Sequence, residues 1–373
     1  MSKKAVLIGC NYEGTEGELK GCVNDVKRMY ACLTERLGFE EDNIEVLIDA
    51  DDSYPDPTGE TIRRAITNLI QNAEPDDVLY IHYSGHGTRL PAETGDDDDT
   101  GYDECIVPTD MNLITDDDFR DFVDELPEGC KLTIVSDSCH SGGLIDESIE
   151  QIGESHVENQ IEGEEQEDQQ ESEDRDIRNR DLPVEVLVEI LKQKTGRDDL
   201  DVGKLRPTIF DVFGEEASPK MKKFIKGMIT KLENYDNEEH DEEEEMEMCM
   251  ALAFLKEKIE EDEEWARLVM EIEYENDQEI YAGQYRGIIP DGGILISGCQ
   301  SHQTSADANP TGDPNEAYGA LTNAMLTILE ETDGEISYQD LVYRTRQILS
   351  ETGYSQRPGL YCSDQYADAQ FLG

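Results

Sequence analysis

Apolar and polar positions over residues 1–146 fall into two kinds of block. "AVLIGC", "IEVLID", "DVLYIHYSG" and "KLTIVSDS" are short, nearly continuous apolar runs, the pattern of strands covered on both faces. Between them, "VNDVKRMYACLTERLG" and "TGETIRRAITNLIQNA" carry apolar residues at helical spacing. Gly38 stops the first, and Thr58, behind a proline, opens the second. Alternation of strand and helix predicts an α/β fold with a mostly parallel sheet flanked by helices.

The pattern then breaks. Residues 147–181 include "EEQEDQQESEDRD" and hold few aliphatics, so they cannot bury enough surface to offset the entropy of ordering and read as a flexible acidic linker. Helical periodicity returns over 182–282, in "LPVEVLVEILKQKTG", "SPKMKKFIKGMITKLENY" and "MCMALAFLKEKIEEDEEWARLVMEIE", with a second acidic run at 238–245. This part reads as a small helical insert. Over 283–373 the α/β pattern resumes, with "GGILISGC" as a buried strand, two amphipathic helices and "GLYCS" as a last strand. One α/β domain interrupted by a linker and an insert is the simplest organisation.

Charge narrows the function classes. The 373 residues carry 89 Asp and Glu against 31 Lys and Arg, a formal net charge of -58, which disfavours nucleic acid and anionic membrane because phosphates are bound by neutralising them. An acidic excess suits a solvated tail, a cation site or a basic substrate. The nine cysteines are odd in number, irregularly spaced and without a CxxC pair, so reduced thiols are expected rather than a disulfide framework or a zinc ribbon. The start, "MSKKAVLIGCNY", is too short in its apolar run for a signal peptide, and no apolar stretch reaches the roughly 18 residues of a membrane span. A soluble, cytoplasmic protein is expected.

Two strand ends carry candidate chemistry. "YIHYSGHG" ends at Ser84-Gly85-His86-Gly87, and "TIVSDSCHSGG" delivers Asp137, Cys139 and His140. In open α/β sheets, ligands gather beyond the carboxyl ends of the strands. Cysteine proteolysis needs a thiol and an imidazole to take its proton, and these need not be close in sequence; His86 and Cys139 meet that requirement. A strand-end Cys alone is usually a packed hydrophobe, but both residues follow buried strands and both stand near glycine. His140, a rival base, adjoins Cys139 in sequence, and neighbours on extended chain point to opposite faces. Strand parity sets Asp137 beside Cys139 and Ser84 beside His86. An aspartate there would raise the thiol's pKa, so its use is to bind a cation, such as substrate Arg or Lys.

The acids of "GDDDDTGYDEC" and "ITDDDF" lie on loops between apolar strands. They do not form an EF-hand, since counting from Asp96 puts Gly101 sixth but leaves Val107 where a bidentate Glu is required. Crowded carboxylates repel unless protons or a hard cation neutralise them, and calcium accepts such flexible oxygen sets better than magnesium does.

"YSGHG" paired with "DSCHSGG", in a chain beginning "KKAVLIGCNY", resembles the metacaspases among the caspase-like cysteine peptidases. The acidic linker and helical insert resemble the type II subgroup of plants and algae. The likeness is close over residues 3–155, clear over 283–373 ("PDGGILISGCQSHQTSADA", "RPGLYCSD") and loose between. It implies a large-subunit-like region over 1–146, an autoinhibitory insert and a small-subunit-like region over 283–373. It also implies His86 as base, Cys139 as nucleophile, and a pocket of Cys22, Asp25, Ser84 and Asp137 for Arg or Lys. Calcium ligands are implied at Asp103, Asp116, Asp117 and Asp146, with a weaker second site at Asp96, Asp97, Asp98 and Asp99. Protein or peptide substrates with Arg or Lys before the cut are implied, and a monomer is expected.

The linker holds few places for such an enzyme to cut itself. Between Asp146 and Leu182 the basic residues are Arg175, Arg178 and Arg180, and Arg180 stands directly before the helical insert, where it could lie across the Cys139 cleft. Arg180 is therefore the expected cleavage site, with Arg178 as runner-up. Two other readings remain open: a catalytically silent calcium-responsive scaffold, which would not fragment itself with calcium, and an Asp-specific peptidase, which a peptide panel varied at the residue before the cut would reveal.

Overall fold

The computed structural model describes residues 2–91, 102–140, 150–153, 176–197, 200, 205–234, 255–256, 258–259, 263–272, 293–300 and 303–373. In chain order the elements are β1 (Lys3–Gly9), α1 (Cys22–Glu35), β2 (Ile44–Ile48), α2 (Gly59–Gln71), β3 (Val78–Ser84), β4 (Gly87–Pro91), β5 (Tyr102–Ile106), β6 (Ile114–Thr115), α3 (Asp116–Asp124) and β7 (Lys131–Asp137). Then come β8 (Glu150–Ile152), β9 (Asp176–Asn179), α4 (Val184–Thr195), α5 (Leu205–Phe213), α6 (Pro219–Asn234) and α7 (Glu263–Glu271). The chain closes with β10 (Gly293–Ser297), β11 (Ala306–Asn309), β12 (Tyr318–Gly319), α8 (Ala320–Thr332), α9 (Tyr338–Glu351), β13 (Gly359–Tyr361) and α10 (Asp364–Ala367).

A seven-stranded sheet in the order β2-β1-β3-β7-β10-β13-β8 forms the centre. Its first five strands pair in parallel, and β13 and β8 add antiparallel edges. Period-two alternation accounts for the apolar runs. On β1, Val6 and Ile8 face one core while Ala5 and Leu7 face the other; on β3, Leu79 and Ile81 oppose Val78 and Tyr80. Each face therefore needs a helical cover. One receives α1, α8 and α9 through Val26, Met29, Leu33, Met325, Leu329 and Leu341. The other receives α2 and α3 through Ile62, Ile66, Phe119 and Val123, and the insert joins that same core through Leu187, Leu191, Phe210 and Trp265. The helix signals act locally: Thr58 caps α2 by accepting from the Thr61 N–H at 3.2 Å, and Gly38 adopts φ +73° three residues past the end of α1.

Residues 147–181 depart from the expected flexible linker at both ends. Leu360 and Tyr361 of β13 pair with Ile152 and Glu150 of β8, and β9 pairs antiparallel with β11, Arg178 opposite Asp307. Composition undervalued these stretches because a strand on a sheet edge draws its stability from backbone pairing, which needs few apolar side chains. No helix among the described residues is long and apolar enough to cross a membrane.

Candidate active site

β3 and β7 end side by side, Ser84 in register with Asp137, and the segment Asn179–Leu182 crosses their carboxyl ends as an extended strap. The strap is pinned through its backbone. The Arg180 N–H donates to the Ser305 carbonyl at 3.0 Å, the Gly87 N–H donates to the Arg180 carbonyl at 3.0 Å, and the Leu182 N–H donates to the Gly87 carbonyl at 2.9 Å. Gly87 can do this because it has no side chain: a Cβ there would lie 1.8 Å from the Cys139 carbonyl oxygen.

The Arg180 side chain is wholly buried. One end of its guanidinium donates to the Ser84 hydroxyl at 2.8 Å and the Asp137 carbonyl at 2.7 Å, and lies 3.3 Å from the Asp137 carboxylate. The other donates to Asp25 at 2.9 Å and to Asp307 at 3.0 Å. The Cys22 thiol is buried beside the Ser84 hydroxyl and the same guanidinium. Such buried carboxylates persist because backbone donors hold them: Gly319 N–H on Asp25, Thr322 N–H and hydroxyl on Asp137, and the Lys20 and Gly21 N–H groups on Asp307. Gly319 is the close approach on this side, where a Cβ would meet Asp137 at 2.2 Å and Arg180 at 2.5 Å. Burial still pushes the Asp25 carboxyl up to about 6, against the pull of Arg180.

Asp307 was not singled out in the sequence. Its signal was available: it is the one acid or base of the Lys/Arg/Asp/Glu set within residues 292–312, and an isolated charge in an apolar and small-residue run calls for a partner. Arg178 is not in the pocket. Its exposed side chain donates to the Glu18 carbonyl at 2.5 Å.

His86 sits at the lip of the pocket. Tyr12 and Tyr83 hold its backbone, the Tyr12 hydroxyl accepting from the His86 N–H at 3.0 Å and the Tyr83 hydroxyl donating to the His86 carbonyl at 2.7 Å. Its Nε2 lies 2.7 Å from the Gly17 carbonyl. A carbonyl only accepts, so Nε2 carries the proton and Nδ1 keeps its lone pair. Nδ1 is buried with no hydrogen-bond partner among the described residues, and burial pushes the imidazole's pKa down, keeping the ring neutral.

Cys139 is buried under the strap. Its thiol donates to Asn179 Oδ1 at 3.2 Å and accepts from the Ser305 N–H at 2.9 Å. Burial, and then the neighbouring Cys299 thiol, push its pKa well above the usual thiol value. His140, at φ +51°, turns instead to Asp181, with Nε2 at 2.9 Å from Oδ1.

The acids near α3 are gathered but already matched. Asp103 accepts from Arg206 of α5 at 2.6 Å while its Oδ1 has no hydrogen-bond partner among the described residues. Asp117 pairs with Lys220 of α6, and with Arg120 at 2.8 Å. Asp116 accepts from the Glu104 and Asp117 N–H groups at 3.2 and 2.9 Å. Among the described residues no three His, Cys, Asp or Glu side chains are arranged to hold a metal. Asp103 and Asp117 thus face protein cations from the insert, and Asp116 faces backbone N–H groups. Asp146 and Asp96 to Asp99, the other expected ligands, lie outside the described residues, as does Arg175.

Comparison with known proteins identifies the family. The family model for "Metacaspase, peptidase C14 domain" matches residues 3–148. Metacaspase-4 of Arabidopsis thaliana is 51% identical over 419 residues, covering 100% of both chains. Metacaspase-6 of the same plant is 53% identical over 377 residues, again 100% of both, and its metacaspase-9 is 37% identical over 99% of this chain and 96% of its own. A solved protein of Geobacter sulfurreducens shares the fold at TM-score 0.52 and 18% identity, covering 100% of this chain and 98% of its own. With half its residues shared end to end with metacaspase-4 and metacaspase-6, and with a histidine and a cysteine at neighbouring strand ends, the chain belongs to the metacaspase family of cysteine peptidases, in its type II group.

Proposed function

We propose that this chain is an endopeptidase that cuts after Arg or Lys and is made as a precursor that cuts itself after Arg180. One observation carries the proposal: an arginine of the chain's own strap lies buried between Asp25, Asp137 and Asp307, with its carbonyl on the Gly87 N–H. A substrate arginine would meet the same three carboxylates and the Ser84 hydroxyl. A substrate lysine would bring its charge there without the forked geometry.

The chemistry follows from the tautomer of His86. Its Nδ1 accepts the Cys139 proton, and the thiolate attacks the carbonyl carbon of the basic residue. The carbonyl oxygen takes the developing charge against the Gly87 N–H. His86 returns the proton to the leaving amine, which departs as the C–N bond breaks, and water then hydrolyses the thioester with His86 again as base. In the intact chain the neutral, strap-bound thiol of Cys139 supports a resting state.

Calcium is part of the proposal through the resemblance alone. The Asp103, Asp116 and Asp117 carboxylates would need to part from Arg206 and Lys220 before serving an ion. Full-length protein incubated with and without calcium, wild type beside Cys139→Ala, tests the whole reading by intact mass. A calcium-dependent wild-type fragment beginning at Asp181 supports it. Equal fragmentation of Cys139→Ala, or no fragment under either condition, sinks it.

A further inference from the structure

Cys299 has no part in the chemistry above, yet it stands against the nucleophile. β10 and β7 pair in parallel with Ser297 opposite Ser136, so continuing the register sets Cys299 beside Ser138, one residue before Cys139. Gly298 lets the two strand ends close up: a Cβ there would lie 2.9 Å from the Ser138 carbonyl oxygen. Both thiols are fully buried, and both border one short loop: Cys139 Sγ accepts from the Ser305 N–H at 2.9 Å, two residues beyond the Gln303 carbonyl that the Cys299 side chain faces. The Cys299 sulfur points at the Gln303 and Ser138 carbonyls, at 3.2 and 3.9 Å. Neighbouring strands run about 4.8 Å apart and rise about 3.3 Å per residue, so positions one residue out of register lie about 6 Å apart, inside the roughly 4.4–6.8 Å between Cα atoms that a disulfide spans. A thiol kept only for packing has no need to stand at this place, because alanine or valine would fill the space.

We propose that Cys299 is a resolving cysteine: a peroxide converts Cys139 and Cys299 into an intramolecular disulfide that reversibly silences the nucleophile. In the first step the Cys139 sulfur attacks one peroxide oxygen and the O–O bond breaks. Sulfur is oxidised by two electrons to sulfenic acid, and hydroxide leaves and takes a proton to become water. In the second step the Cys299 sulfur attacks the Cys139 sulfur, the S–S bond forms, the S–O bond breaks, and a second water leaves with the thiol's proton. A dithiol reductant reverses the change. Without Cys299, no other thiol among the described residues is placed to resolve the sulfenic acid, and a second peroxide oxidises it to sulfinic acid with loss of water, a product such reductants do not repair. In the intact chain the strap covers Cys139, so oxidation is expected to be faster once the strap is cut and withdrawn. The inference rests on Cys139 as nucleophile only for its consequence, since the disulfide itself needs no peptidase activity.

The test is peptide mapping of full-length protein, with and without calcium, after hydrogen peroxide and alkylation of the remaining thiols. Expected for wild type is a Cys139–Cys299 linked peptide, two hydrogens lighter than the sum of its parts, and full recovery of both thiols with dithiothreitol. Cys299→Ser, and Cys299→Ala if the serine variant is misfolded by circular dichroism, should instead gain two oxygens on Cys139 that dithiothreitol cannot remove. Sulfinic acid at Cys139 to the same extent in wild type and variants overturns the proposal. So does linkage of Cys139 to another cysteine, or a Cys139 that stays reduced under both conditions. Because the readout is mass, failure of self-cleavage would leave this result fully interpretable.

Discussion

The guanidinium of Arg180 meets the carboxylate of Asp25 at 2.9 Å with both side chains wholly excluded from solvent. On the proposed reading the uncut chain fills its own specificity pocket, and the contact that would orient a substrate also holds the strap in place. Arg180→Gln leaves three buried carboxylates without their cation, a loss of about 3–5 kcal/mol when a buried pair is broken. The strap should loosen: Cys139 is expected to react faster with iodoacetamide, and the fragment beginning at Asp181 should vanish. A variant with wild-type thiol reactivity and the same fragment boundary would refute the assignment.

Asp25→Asn and Asp307→Asn should each weaken cleavage after arginine, because each leaves a substrate guanidinium short of one charged partner. At about 2–5 kcal/mol for truncating such a pair, kcat/KM on an Arg peptide should fall by roughly 30- to 5,000-fold. The Asp307 result is the sharper one, since that residue comes from the chain's C-terminal part. An unchanged kcat/KM would move the pocket elsewhere.

Cys139→Ala and His86→Ala should each abolish turnover while leaving circular dichroism and the thermal midpoint close to wild type. Thiol and imidazole act as one unit, so removing either costs nearly as much as removing both. Substantial turnover by either purified variant contradicts the mechanism.

The acid side of the pH profile should belong to the pocket rather than to the base. Burial raises the Asp25 carboxyl to about 6 and lowers His86 below its usual value. As pH falls, Asp25 takes up its proton through about 6 and the pocket loses charge there, while burial works against protonation of His86. With Arg180 withdrawn, its downward pull on Asp25 is gone, so kcat/KM for an Arg peptide should decline from a midpoint at or above about 6. Asp25→Asn should lower the plateau and remove this limb. A limb that survives in Asp25→Asn assigns it to another group.

Asp116→Asn and Asp117→Asn should raise the calcium concentration needed for self-cleavage, since fewer carboxylates bind the ion less tightly. Arg206→Gln should act in the opposite direction by freeing Asp103 from its 2.6 Å ion pair. Chelator should suppress fragmentation in all of them. Unshifted calcium curves across the series would remove these acids from the calcium reading.

Local and periodic features were legible in the sequence. Runs such as "AVLIGC" and "DVLYIHYSG" already imply strands covered on both faces, because a period of two with both phases apolar has no other stable environment. Thr58 and Gly38 mark helix limits by chemistry confined to one turn. Parity along β3 and β7 put Ser84 and Asp137 on the faces that now meet Arg180, because alternation is a property of the single strand. What the sequence could not contain were distances between remote segments. Asp307 reaches the pocket because β11 pairs with β9. Gly17 sets the His86 tautomer from a loop some seventy residues away, and Arg206 and Lys220 reach Asp103 of β5 and Asp117 of α3 because the insert joins the same core. Cys299 comes near Cys139 only because β10 and β7 are neighbours in the sheet. Strand order and helix packing are decided by the burial of surfaces far apart in the chain, and a hydrogen bond is a matter of tenths of an ångström, so those relationships arise only when the fold closes.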